Sequence, residues 1–190
     1  MGNFTEYMND RIYRQFGMGT VVAIGEQKNS AYFADTYVDL HNADIICNLE
    51  AELPDIYAHH VRLGEVLEHL TNDAQLLRHL RGRTESILVT VPYYGEAPYH
   101  VRLHNRWSIT QLLGYTGWKV VRYIPRKSPR LDRPIAYLRG VFGQRINNLF
   151  FALNSILPIK PNGGYFYCIP DNRVKDISVM NKAYFGATHE

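Results

Sequence analysis

Apolar residues along this chain follow two rhythms. The first consists of short, nearly continuous apolar runs that close on Gly, an acid or Pro. They are Thr20-Val21-Val22-Ala23-Ile24-Gly25, Thr36-Tyr37-Val38-Asp39-Leu40, Ile45-Ile46-Cys47, His59 to Leu63, and Ser86 to Pro92. Two more follow, Trp118 to Ile124 and, after Gly163-Gly164, Tyr165 to Ile169. Runs this short and this uniformly apolar predict strands covered on both faces. The second rhythm is helical. Residues 3–16 bring Phe4, Tyr7, Met8, Ile12 and Phe16 near one face, and Asn72–Leu80 does the same with Leu76, Leu77 and Leu80 before a stop at Gly82. Ser108 is placed to cap a helix running through Leu113 and ended by Gly114. A Pro/Arg-rich connector then leads into a long helix, Ile135 to about Leu157, striped by Leu138, Phe142, Ile146, Leu149 and Leu153.

Apolar strands alternating with helices predict an α/β fold with a mostly parallel central sheet and helices on both faces. Only ten residues, Glu26 to Asp35, separate the first two strands, and the link from Leu40 to the third is shorter still. A helical crossover takes about a dozen residues or more, so the first crossover helices are expected to be shortened or absent. Ligands of open parallel sheets sit at the carboxyl ends of the strands. Gly25, Asp39, Asn48, Gly64, Glu65 and Pro92 all fall at such ends.

The chain has 190 residues, which suits one domain with a sizeable core. Residues 1–19 form its N-terminal helix, 20–124 its core, and 125–190 its C-terminal helix and last strand. Cys47 and Cys168 both lie in apolar runs and form no Cys-x-x-Cys pair, the pattern of buried thiols in a reducing compartment. No apolar run approaches the length that spans a bilayer, and the N-terminus has no signal-peptide core. A cytoplasmic protein is expected. Tyrosine is common, with 14 copies, and suits a half-buried shell around the core. Charge is uneven: residues 1–60 carry 3 Lys/Arg against 9 Asp/Glu, and residues 61–190 carry 18 against 9. Seven of the basic residues run from Arg122 to Arg145 (Arg122, Arg126, Lys127, Arg130, Arg133, Arg139, Arg145), opposed only by Asp132. Such a run is a solvated face or a surface for phosphates. The neighbouring long helix has a surplus of apolar surface at Phe150-Phe151. Self-association into a homodimer is the expected use of that surplus. Peripheral membrane contact is the less favoured use, and nucleic acid is not an expected partner.

The order VVAIG, YVDL, NLEAELP, GEVLEHL, ILVTVP and HNRWSITQLLGYTGWKV resembles the class I S-adenosylmethionine-dependent methyltransferases. The likeness runs from about Val21 to Val121. It implies a Rossmann-like methyltransferase fold with S-adenosylmethionine as cofactor. Carried over residue by residue, it implies that Gly25 and Glu26 open the loop beneath the methionine part. Asp39 takes both ribose hydroxyls, with Leu40 beside it. Asn48 and Leu49 border the adenine, and Gly64 and Glu65 flank the sulfonium. The sequence departs from that pattern in its loop, Gly25-Glu26-Gln27-Lys28-Asn29, which keeps only the first glycine of a Gly-x-Gly-x-Gly run. Asn48 stands where the family usually has Asp.

Candidate chemistry lies in two stretches. In Gly64-Glu65-Val66-Leu67-Glu68-His69-Leu70, a helical turn over 65–69 puts Glu65, Glu68 and His69 on one face. That cluster resembles the metal site of small-RNA 2′-O-methyltransferases, but the same string is common in members that look metal-free, and no metal is assigned. The segment Pro92 to Trp107 is rich in Tyr, His and Arg after a strand end, where loops carry function. His69 lines the acceptor side, and His100 and His104 are candidate general bases, because imidazole titrates near neutral pH. Tyr93, Tyr94 and Arg102 are candidates to shape the acceptor site. The expected activity is methyl transfer to a small-molecule or carbohydrate-type acceptor. The alternatives are a non-catalytic binding or regulatory subunit of the same fold, and a metal-assisted RNA 2′-O-methyltransferase.

Overall fold

A computed structural model describes residues 19–29, 33–93, 99–126 and 163–173. Seven strands form one sheet: β1 (Val21–Ile24), β2 (Thr36–Asp39), β3 (Ile45–Ile46), β4 (Ala58–Gly64), β5 (Thr84–Pro92), β6 (Trp118–Arg126) and β7 (Gly163–Pro170). Their spatial order is β3-β2-β1-β4-β5-β7-β6. The first five pair in parallel, and β7 runs antiparallel between β5 and β6. The chain therefore steps outward from β1 to β3, then returns to the other side of β1 with β4. That reversal between β1 and β4 is the switch point at which open sheets leave a crevice for ligands.

Side-chain alternation sorts the sheet into two buried faces. Val22, Ile24, Val61, Leu63, Ile87 and Val89 share one face, and their core extends into two helices, α1 (Asp73–Arg81) and α2 (Arg106–Tyr115). α1 contributes Leu76, Leu77 and Leu80, one stripe of a 3.6-residue period, and α2 contributes Ile109 and Leu113. Trp118 at the start of β6 closes this core, and its indole N–H donates to the Leu77 carbonyl at 2.9 Å. The opposite face carries His60, Arg62, Leu88, Thr90, Tyr165 and Tyr167, all buried. Among the described residues both α-helices pack against the first face. The helices expected at 3–16 and 135–157 lie outside the described residues, as do the dimer and membrane contacts expected of the second. No helix among the described residues is long and apolar enough to cross a membrane.

The shortened crossovers have a plain geometric basis. β3 has two residues, and its register places Ile46 opposite Asp39. The chain leaving β2 at Asp39 needs only to back up by one residue, and the turn Leu40–Asp44 suffices. Asn42 takes a left-handed conformation there (φ 48°), and the Asp44 carboxylate accepts from the Tyr37 N–H at 2.9 Å and pairs with Lys28 at 2.5 Å. No helix occurs among the described residues between β1 and β2, or anywhere between β2 and β4.

Three boundaries differ from the sequence expectation. The N-cap of α2 is Asn105, not Ser108: the Asn105 side chain accepts from the Ser108 N–H, and the Ser108 hydroxyl accepts from the Asn105 N–H, both at 2.9 Å. Ser108 is the far half of a reciprocal capping box. Gly114 sits inside α2, and the glycine that turns the chain is Gly117, with φ +82°. β6 runs through Arg126, two residues beyond the strand end expected at Ile124, and pairs with β7.

Candidate active site

The site is built on the carboxyl-end rim of β1, β2 and β4. Gly25 follows β1 with φ +76°, and a Cβ there would lie 2.0 Å from a Val66 methyl group. Both facts require glycine. Its N–H donates to the Val38 carbonyl at 2.8 Å, which ties the loop to the end of β2. Gly64 closes β4, and a Cβ there would meet Glu26 Oε1 at 2.7 Å.

That contact shows where Glu26 points. Arg62 of β4 donates from Nε and one terminal nitrogen to the two Glu26 oxygens, both at 2.6 Å. The Arg62 side chain is only 2 % exposed and that of Glu26 11 %. Glu26 thus serves as the partner of a buried guanidinium, clamping the loop after β1 onto β4.

Asp39 ends β2 half-buried. Its Oδ1 accepts from the His41 N–H at 3.0 Å, and Oδ2 takes no hydrogen bond from a described residue. Leu40 beside it is 53 % exposed, an apolar side chain without cover. Asn48 is exposed, and its side chain accepts from the Glu50 N–H at 3.2 Å. Leu49 is part of the hydrophobic core, so it supplies packing beneath the rim.

Glu65 adopts φ +55°, which is uncommon for a residue with a side chain. Its N–H donates to the Thr90 carbonyl at 3.0 Å, and its carboxylate pairs with Arg126 of β6. A left-handed residue cannot open a helical turn, and the turn that follows is a 3-10 segment, Leu67–His69. Glu65 is therefore separated from Glu68 and His69, contrary to the shared face expected from spacing.

Glu68 and His69 are joined instead by His100, one donor atom from each lying within 4.8 Å of the others. Glu68 is 1 % exposed, and neither carboxylate oxygen has a hydrogen-bond partner. Burial pushes its carboxyl up to about 7. His69 Nδ1 lies 3.1 Å from the Tyr99 carbonyl, and the His69 and His100 rings meet edge to face at 4.8 Å. The segment carrying His100 is anchored to the turn below, since the N–H groups of Val101 and Arg102 reach the Glu68 carbonyl at 2.8 and 3.3 Å. Arg102 reaches the buried Asp73 carboxylate at 2.8 Å and the Thr71 carbonyl at 2.9 Å, which braces this segment against the start of α1. Burial raises the Asp73 carboxyl despite that guanidinium.

His104 is set apart from this group. It is 5 % exposed, its Nε2 has no hydrogen-bond partner, and burial lowers its pKa. Of the three candidate histidines, the structure brings His69 and His100 together and buries His104 near Asp73. Tyr93 is half-buried with its hydroxyl 3.3 Å from that of Tyr123, over whose ring Arg106 stacks at 4.3 Å. Tyr94 lies outside the described residues.

Sequence reading passed over Arg62, Asp73 and Arg126 as site elements. One signal was available: an arginine inside the apolar run His60-Val61-Arg62-Leu63 requires a buried partner.

No family model and no curated protein matches the sequence. Solved structures do match in fold. A SAM-dependent methyltransferase from Archaeoglobus fulgidus is 17 % identical with a TM-score of 0.54, over 86 % of this chain and 93 % of that one. The 1,6-didemethyltoxoflavin-N1-methyltransferase of Burkholderia thailandensis, with bound S-adenosylhomocysteine, is 9 % identical with a TM-score of 0.55, over 84 % of this chain and 74 % of that one. Phosphoethanolamine N-methyltransferase 2 of Haemonchus contortus, in complex with S-adenosyl-L-methionine, is 14 % identical with a TM-score of 0.52, over 89 % of this chain and 53 % of that one. Strand order, the antiparallel β7 and these neighbours agree: the chain has the Rossmann-like fold of the class I S-adenosylmethionine-dependent methyltransferases.

Proposed function

We propose that the chain binds S-adenosylmethionine along the rim of β1, β2 and β4 and transfers its methyl group to a small-molecule or carbohydrate-type acceptor. The observation that carries this reading is Asp39, at the end of β2 beside the switch point, with Oδ2 open and an uncovered apolar neighbour in Leu40. A carboxylate accepts two hydrogen bonds from a vicinal diol, and an exposed aliphatic surface suits a base. Gly25 and Gly64 let Val66 and Glu26 pack directly against the backbone of the rim, which fixes its shape. When bound, the cofactor supplies an electrophilic methyl group on a cationic sulfonium.

Methyl transfer by in-line displacement asks the protein chiefly to position two reactants and exclude water. Glu65, at the end of β4, brings negative charge toward the sulfonium side, shared with Arg126. His69 and His100 stand where an acceptor would enter and can take the proton of a hydroxyl acceptor. The buried His104 is assigned a supporting place behind them.

A second reading, a non-catalytic binding subunit of the same fold, is favoured by one observation: the single-glycine loop after β1 is locked by the Glu26–Arg62 pair. Isothermal titration with S-adenosylmethionine and S-adenosylhomocysteine separates the two. The methyltransferase reading expects binding of both, lost in Asp39→Ala with the far-UV spectrum and melting temperature retained. Absence of binding by the folded wild-type chain selects the second reading. Undiminished affinity in Asp39→Ala removes Asp39 from the site.

A further inference from the structure

We propose that Arg106 and Tyr123, backed by Tyr93, form an anion subsite that takes a carboxylate of the methyl acceptor. This rests on the methyltransferase reading above and narrows its acceptor to a compound that bears a carboxylate.

The three side chains meet at the carboxyl-end rim of the sheet. Tyr93 follows the end of β5 at Pro92, and α2 opens with Arg106. β5 and β6 are both antiparallel to β7, so they run the same way and the end of β6 lies on that rim too. The Arg106 guanidinium lies over the Tyr123 ring at 4.3 Å, and that ring is 5.0 Å from the ring of Phe166. Two features build the arrangement. The pairing of β6 with β7 shifts register between Val120 and Arg122. In a regular strand Val120 and Tyr123 would face opposite ways, yet both pack against the same core. The irregularity thus turns Tyr123 to the face that α2 covers, as bulges re-aim side chains. Gly164 of β7 makes the room: a Cβ there would lie 2.5 Å from the Tyr93 hydroxyl and 2.7 Å from a Tyr123 ring carbon.

The donors left over define the ligand. The Tyr93 hydroxyl donates to that of Tyr123 at 3.3 Å, which leaves the Tyr123 proton for another acceptor. Burial holds the Tyr93 hydroxyl above the ordinary tyrosine range, so it stays a donor. Arg106 is exposed, and among the described residues it forms no hydrogen bond or ion pair. Stacking uses the face of a guanidinium and leaves the N–H groups at its edge free. Two other cations near the rim are already matched, Arg102 with Asp73 and Arg126 with Glu65. One uncommitted positive charge beside one hydroxyl donor suits a carboxylate, whose two oxygens fit the edge of a guanidinium. A phosphate monoester carries more charge than Arg106 alone would balance.

The test needs no cofactor. The full chain is titrated with acetate, with acetamide (the same shape without the charge) and with inorganic phosphate, at constant ionic strength. NMR reads the backbone amides at the start of α2, which every variant retains. A saturable acetate shift is expected, with none from acetamide and weaker binding of phosphate. Arg106→Gln is expected to weaken acetate binding about tenfold or more, and Tyr123→Phe, which keeps the ring, about threefold or more. Lys119→Gln, exposed at the other end of β6, is expected to leave it unchanged. No saturable acetate shift in the folded wild-type chain overturns the proposal. So does an equal response to acetamide, tighter binding of phosphate, or a loss in Lys119→Gln as large as in Arg106→Gln. Acetate binding by a chain that does not bind S-adenosylmethionine would overturn the methyltransferase reading and keep the anion site. Cofactor binding without acetate binding would do the reverse.

Discussion

The Glu26–Arg62 pair offers a direct test of whether Glu26 is a strut or a ligand contact. Arg62 is buried at 2 % exposure in the middle of β4, and two 2.6 Å bonds join it to Glu26 at the end of β1. Removing one partner of a buried pair costs about 3–5 kcal/mol, because the other charge stays desolvated. Glu26→Ala deprives the more deeply buried group of its carboxylate, so a loss of about 3 kcal/mol or more is expected. Arg62→Met leaves Glu26 nearer the rim, where water reaches it at 11 % exposure, so a smaller loss is expected. The double variant replaces both charges and is expected to be more stable than Glu26→Ala alone. Urea unfolding of the four proteins measures this. With a slope of about 2 kcal/mol per molar urea, the Glu26→Ala midpoint falls by about 1.5 M. Losses that simply add across the two sites would refute the coupling. A Glu26→Gln protein of wild-type stability that has lost S-adenosylhomocysteine affinity would show that Glu26 faces the ligand after all.

Two further outcomes follow from the local geometry. Gly25→Ala places a Cβ at φ +76° against Val66 and is expected to cost at least about 2 kcal/mol, while Gly82→Ala, with nothing within 4 Å, is expected to stay within about 0.5 kcal/mol in the same melting experiment. His60 is buried, with Nδ1 2.7 Å from the Ser86 hydroxyl, and burial holds its pKa below the ordinary histidine value. The unfolded chain then binds more protons than the folded one below about pH 6.5, so stability is lost as pH falls through that value. The drop in urea midpoint between about pH 7.5 and pH 5 should be smaller in His60→Gln, and an equal drop would exclude His60 as its source.

Local rules made much of the sheet legible. β1, β4, β5 and β7 coincide with largely apolar runs because their faces are covered, whereas the partly buried β2 and the edge strand β6 were marked mainly by the residues that bound them. Gly25 and Asp39 were visible at strand ends for the same reason, since the run stops where the chain meets the rim. The misreadings were also local. Asn105 and Ser108 are both good cap formers three residues apart, and composition alone does not say which one holds the N-cap. Gly114 and Gly117 both punctuate, but only a left-handed φ distinguishes the turning glycine.

Pairings between distant residues were illegible. The antiparallel entry of β7 between β5 and β6 pairs Cys168 with Ile87, and nothing in either run specifies its partner. Arg62 finds Glu26 across 36 residues, Arg126 finds Glu65 across 61, and Tyr99 brings its carbonyl to His69 across 30. Each is set by tertiary packing that no local period encodes. Glu65 is the instructive case. Its spacing to Glu68 and His69 is helical, but its backbone conformation takes it out of their group and gives it to β6.

The rim is divided accordingly. On the side of β2 and β3 the connection shrinks to a turn, and the polar groups that face outward, Asp39 and Asn48, are satisfied locally with valence to spare. On the side of β4 and β5, ionisable groups are buried instead: Glu68, Asp73 and His104 lie within a few residues of one another's elements, and two of them keep polar atoms without partners. Each buried unsatisfied group costs about 1–3 kcal/mol, against a total stability of about 5–15 kcal/mol for an ordinary domain. A fold under selection for stability alone would replace Glu68 with an apolar residue, since Val66, Leu67 and Leu70 around it already belong to the core. Keeping a carboxylate there is an expense that structure does not require. That cost makes the β4–β5 side the part of the rim where the proposed methyl transfer is best tested by substitution.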